Sequence, residues 1–154
     1  MSSITFLASS RPFTIPDEIQ EYYNKTTLEK GHQHISLWVR ELDSLGWEEF
    51  AEDLFSMTYI YEIIGADSSL FLIYLEKYME IGDVLELLYI PNQNDYKYYK
   101  RELVEAPEPI YINVRSLTYQ DGNGTYKLDP KKWVEELSHR NFITEFGVTT
   151  IEKY

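Results

Sequence analysis

Apolar and polar residues recur along this chain with two periods, and the period changes from one segment to the next. Over residues 2–8, Ile4 and Phe6 alternate with Thr5, which predicts a strand. Thr14-Ile-Pro-Asp17 reads as a helix start: a hydroxyl can cap, proline fits the first turn, and Asp17 suits the positive end of the dipole. That helix should run through Tyr23, with residues 24–31 as a polar loop. Ile35 to Leu45 fits both periods, since Ile35, Trp38, Val39, Leu42 and Leu45 have helical spacing while Ile35, Leu37 and Val39 alternate; helix is the expectation. From Gly46 the signal sharpens, because Trp47, Phe50, Ala51, Leu54 and Phe55 make an amphipathic stripe.

Three runs rich in Tyr, Ile, Leu and Phe follow at Thr58 to Ile64, Leu70 to Tyr78 and Val84 to Ile90, separated by Gly65 to Ser69 and by Gly82-Asp83. The simplest expectation is a meander of antiparallel strands. Asp95 to Val104 has helical spacing and is ended by Pro107 and Pro109, after which Ile110 to Val114 alternates as a strand. Asp121-Gly-Asn-Gly124 between two alternating runs predicts a hairpin. Asp129-Pro130 starts another helix, bearing Trp133, Val134 and Leu137 on one face, and Val148 to Lys153 is a last strand. The expected fold class is α+β: a single domain over residues 1–154, mainly antiparallel sheet or meander, with three to five helices packed on it.

Charge changes the picture more than composition does. The 154 residues carry 26 Asp and Glu against 14 Lys and Arg, a net charge of −12. The excess is uneven: residues 1–90 hold 5 bases and 16 acids, residues 91–154 hold 9 bases and 10 acids. Such a field repels phosphate and attracts a basic surface, so direct nucleic-acid binding and anionic membranes are not expected. With no cysteine there is neither a disulfide framework nor a thiolate nucleophile, which fits a cytoplasmic location. No basic residue precedes the short apolar stretch after Met1, so no secretory signal is expected there, and the longest apolar runs are far short of a membrane span.

Common phosphate-loop, dinucleotide, zinc-protease and serine-hydrolase signatures are missing, and no cofactor or metal is expected. Asp121-Gly-Asn-Gly-Thr125 begins like a calcium loop, but Tyr126 and Lys132 stand where a glycine and a bidentate glutamate belong, leaving a turn. His32 and His34 would share one face of a strand, with Glu29 or His139 as further ligands, although exposed loop histidines and a helix-terminal His139 explain them as well. Tyr96 to Arg101 mixes three tyrosines with three cations, which suits base stacking and equally suits a helix with its tyrosines turned inward.

Two carboxylate sets remain. On the helix from Gly46, Glu48 with Glu52 and Glu49 with Asp53 form like-charge i,i+4 pairs, each costing about 0.2–0.5 kcal/mol. A ridge that retains this penalty is a candidate surface for a basic protein. On the three β-like runs, Glu62, Glu76 and Glu86 each share a strand face with apolar neighbours. If those faces point inward the three carboxyls converge for acid/base work; if the opposite, uncharged faces form the core, the glutamates are merely solvated, which is the favoured expectation. The functional expectation is therefore a non-enzymatic, cytoplasmic protein-binding module, antidote- or inhibitor-like, docking a basic partner through Glu48, Glu49, Glu52 and Asp53. The alternative is a small hydrolase or isomerase using Glu62, Glu76 and Glu86. Tyrosine-rich edge strands also leave open pairing between chains as a homodimer.

Overall fold

The computed structural model describes residues 3–19, 21, 37–41, 54–91, 96–144 and 147–154. Eight strands make one sheet: β1 (Ile4–Ser9), β2 (Trp38–Glu41), β3 (Tyr59–Ile64), β4 (Val84–Ile90), β5 (Ile110–Asn113), β6 (Thr118–Asp121), β7 (Gly124–Lys127) and β8 (Thr149–Glu152). Their spatial order is β2-β3-β1-β4-β8-β5-β6-β7. Neighbours are antiparallel except β5 and β8, which are parallel. Among the described residues the helices are α1 (Ser69–Lys77), α2 (Tyr96–Glu105) and α3 (Trp133–Ser138), with a helical turn at residues 17–19 closed by the Ile19 N–H on the Pro16 carbonyl.

This mixed sheet corrects the expected fold of a meander with three to five helices packed on it. β1 pairs antiparallel with both β3 and β4, so those two run in the same direction with β1 between them. A parallel pair cannot be joined by a tight turn, and the connection has to cross a face of the sheet. It does so as α1, which means that the run Leu70 to Tyr78 is helical rather than a strand. The apolar stretch Leu70 to Leu75 is unbroken, so it carries neither period, and its length alone suits either element. Five of its residues, Leu70, Phe71, Leu72, Tyr74 and Leu75, are buried. The turn into α1 is made by Ser68, whose amide and hydroxyl both donate to the Gly65 carbonyl, at 2.9 and 2.6 Å.

A second correction concerns residues 35–45, where the described part is extended rather than helical. Trp38 to Glu41 pairs with β3 in the register Trp38↔Ile64 to Glu41↔Tyr61. Of the helix expected from Gly46, only Leu54 and Phe55 fall within the described residues. The other elements lie where the pattern placed them: β1, β3, β4, α2, β5, the β6–β7 hairpin, α3 and β8.

Register sorts the sheet into two faces. Leu7, Ile63, Leu85, Leu87, Ile110, Ile112, Tyr119 and Ile151 share one face and form the main core with α1, Phe13, Ile19 and Leu137 of α3. On the other face Ile4, Phe6, Ala8, Leu88 and Ile90 make a second core, covered by Phe55 and by Leu103 of α2. The Phe6 and Phe55 rings meet edge to face at 6.2 Å. β8, near the end of the chain, enters between β4 and β5 and joins the two halves. Gly147 makes that entry possible, because a Cβ there would lie 1.9 Å from the Glu108 carbonyl oxygen. Only a residue without a side chain lets the two backbones pass so closely.

Candidate functional site

The three candidate glutamates of the β-like runs part company in the fold. Glu62 and Glu86 point to the second-core face of the sheet and are buried, at 8 % and 6 % exposure. This overturns the expectation of solvated side chains: both faces of the sheet centre are covered, so no strand face is left for water. Glu76 sits exposed on α1, which packs on the opposite face. Glu62 lies across β1 from Glu86, opposite Phe6 while Glu86 is opposite Ala8. Two strand spacings and a two-residue offset put their Cα atoms ~12 Å apart.

Each buried carboxylate has its own partner. Glu62 Oε1 accepts from Arg40 Nε of the neighbouring edge strand at 2.5 Å. Glu86 Oε1 accepts from the backbone N–H groups of Ser56 and Met57, both at 2.9 Å. Burial pushes the Glu86 carboxyl above the ordinary glutamate range, and these two amides pull it partway back. A carboxylate that ties down the segment leading into β3 acts as a structural staple.

Among the other sequence candidates, Glu48, Glu49, Glu52 and Asp53 lie outside the described residues, as do His32, His34 and Glu29. His139 caps the end of α3, its N–H donating to the Glu136 and Leu137 carbonyls. Residues 96–105 form α2, with Leu103 buried and Tyr98 and Val104 exposed. Asp121 caps its own turn by accepting from the Asn123 N–H at 2.8 Å. Among the described residues no three His, Asp or Glu side chains are grouped as metal ligands would be.

Acidic charge gathers on the outer side of the helix layer. Asp17, Glu18, Glu21, Glu76 and Glu80 are exposed there, and Glu18 joins the two helical segments by accepting from the Tyr78 hydroxyl and pairing with Lys77 at 3.9 Å. The Glu18 carboxylate pushes the Tyr78 hydroxyl up to about 12. Nearby, Arg11 is held by Asp83 at 2.9 Å and lies 3.7 Å from Glu80. Asp83 also accepts from the Glu80 N–H, closing the turn before β4.

Two features were not singled out from sequence. On the second-core face, the strands beyond β4 carry two rows of polar side chains: Thr150, Tyr111, Gln120 and Thr125, then Glu152, Asn113, Thr118 and Lys127. Tyr111, Gln120, Thr125, Glu152, Asn113 and Thr118 of these rows line an open groove of about 350 Å³ that offers hydrogen bonds to a polar ligand. The alternation of β5 and β8 was visible, but which polar residues would line up across four strands depends on register. On the core face, Arg140 lies over both the Tyr119 and Tyr126 rings, at 4.6 and 4.7 Å. Compared with family models, curated proteins and solved structures, the chain finds no match in any of the three, so the reading of its function rests on this geometry alone.

Proposed function

We propose that this protein is a non-catalytic binding module, antidote- or inhibitor-like, whose acidic surface docks a basic protein. One observation carries the reading. Among the described residues up to Pro91 the cations are Arg11, Arg40 and Lys77, and each is already paired with a carboxylate of the same chain. Asp17, Glu21, Glu41, Asp67 and Glu76 remain exposed without a cationic partner among the described residues. Such an uncompensated field steers and holds a basic surface and repels phosphate, which argues against direct nucleic-acid binding. Glu48, Glu49, Glu52 and Asp53 belong to the same excess and are the proposed centre of the docking surface. A chain without cysteine suits the cytoplasm, and among the described residues no helix is long and apolar enough to cross a membrane.

The competing reading, a hydrolase or isomerase, needs Glu62, Glu76 and Glu86 around one substrate, and their separation and separate partners speak for binding. Affinity capture at low and high salt tests the proposal. The wild-type chain should retain a basic protein at low salt and release it at high salt, because exposed charges are screened beyond ~8–10 Å. The quadruple variant with Glu48, Glu49, Glu52 and Asp53 changed to Lys should retain none. Equal capture by the variant would show that another surface binds.

A further inference from the structure

The sheet ends on β7, and the hairpin determines which backbone groups of that strand face outward. The Leu128 N–H donates to the Leu117 carbonyl at 2.7 Å, so these two residues form a hydrogen-bonded antiparallel pair. Bonded and non-bonded pairs alternate along an antiparallel ladder. In the register Thr118↔Lys127, Tyr119↔Tyr126 and Gln120↔Thr125, the Tyr119–Tyr126 pair is then bonded and the other two are not. The N–H and C=O groups of Thr125 and Lys127 therefore point away from β6, along the rim of the sheet. All four residues of β7 are exposed, and among the described residues no backbone bond from outside the sheet reaches those two amides.

Edge strands are commonly guarded by a lysine that projects over the rim. Lys127 does not serve in that way, since its Nζ folds back to donate to the Ser116 carbonyl. On the opposite face Tyr126 is held in place beneath the Arg140 guanidinium. Among the described residues the rim is thus unpaired and unguarded, and it is laterally fixed.

We propose that β7 pairs antiparallel with β7 of a second copy of this chain, about a two-fold axis at Tyr126. The occupant follows from register and charge. Thr125 of one copy meets Lys127 of the other in two symmetry-related bonded pairs, giving four hydrogen bonds, and Tyr126 faces its own counterpart in the closer, non-bonded pair. Such an isologous contact closes on itself. Two copies of a chain with net charge −12 repel least through residues 91–154, which hold 9 bases and 10 acids, whereas the other rim, β2, belongs to the portion with 5 bases and 16 acids. Four paired residues bury much less than the ~1,200–2,000 Å² of a stable interface, so the dimer assembles with rising concentration. The acidic helix-layer surface stays free for another partner.

Sedimentation equilibrium from micromolar to millimolar protein, with amide hydrogen exchange followed by NMR, tests this. The mass should climb from monomer toward dimer. The Thr125 and Lys127 amides should gain protection with concentration, while the Tyr126 amide, already bonded to Tyr119, should not change. Thr125→Pro and Lys127→Pro each delete one outward N–H and no bond to β6, and proline is tolerated on an edge strand. Each should raise the dissociation constant by about tenfold or more, since the two-fold removes two of four bonds. A monomer at every concentration, a dimer whose protected amides lie elsewhere, or dimerisation undiminished in both folded variants would overturn the proposal.

Discussion

The two halves of the sheet use the same architecture under different cover. At its centre, β1 and β4 are buried on both faces, with only a residue or two of each partly exposed. Beyond β8 the cover stops: β5 and β8 alternate between buried and more exposed positions, and all of β7 is exposed. The change falls between Glu86 and its cross-strand neighbour Thr150, where a dry row of side chains becomes a wet one. Polar groups pay different penalties on either side of that line. A carboxylate on the dry side needs a dedicated partner, as Glu62 has in Arg40 and Glu86 has in two amides. A glutamine or threonine on the wet side needs only water.

Substitutions can break this contrast. The largest loss is expected for Phe6→Ala, which opens a cavity against Phe55 in the second core and should cost about 3–5 kcal/mol in chemical denaturation. On the same face beyond β8, Tyr111→Ala should stay within about 0.5 kcal/mol of wild type. Equal losses would mean that the far half is covered after all. Gly147→Ala tests the junction of the halves: its Cβ would collide with backbone rather than with a movable side chain, and a loss of about 1–3 kcal/mol or more is expected.

Glu86 marks the boundary and gives the finest test. Glu86→Ala leaves the Ser56 and Met57 amides without their acceptor and should cost about 1–3 kcal/mol, whereas Glu86→Gln keeps an oxygen there and should cost less. The pH dependence has a definite sign. Since the folded carboxyl is held above its ordinary range, the fold favours the protonated form, and stability falls as pH rises from the ordinary glutamate range through the raised value. Glu86→Gln should flatten that part of the profile. An unchanged slope would place its origin in other groups.

The same contrast explains what could be read in advance. Where one face of a strand is wet, alternation is preserved, and β5, the hairpin and β8 stand where the pattern put them. Asp121 and Asp129 also act locally: Asp121 accepts from Asn123 in the turn, and Asp129 accepts from the Lys131 amide ahead of α3. Where both faces are covered, apolar residues become continuous and the period disappears. That is why α1 resembled a strand and why Glu62 and Glu86 were expected to be solvated. Residues 38–41 failed in the opposite direction: Val39 satisfies both periods while Trp38 fits the helical one, and pairing with β3 decided for a strand.

Local elements with a wet face, the turn and cap chemistry, and the concentration of acid in residues 1–90 were determined by the sequence itself, because each depends on neighbours a few positions away or on simple counting. Tertiary structure alone decided that β1 lies between β3 and β4, that β8 joins the halves, that Glu76 stands apart from two buried glutamates, and that β7 forms a rim of the described sheet. Those outcomes rest on which strands meet. Pairing depends on contacts between distant segments, and a residue's own neighbours in the chain do not encode the partner across the sheet.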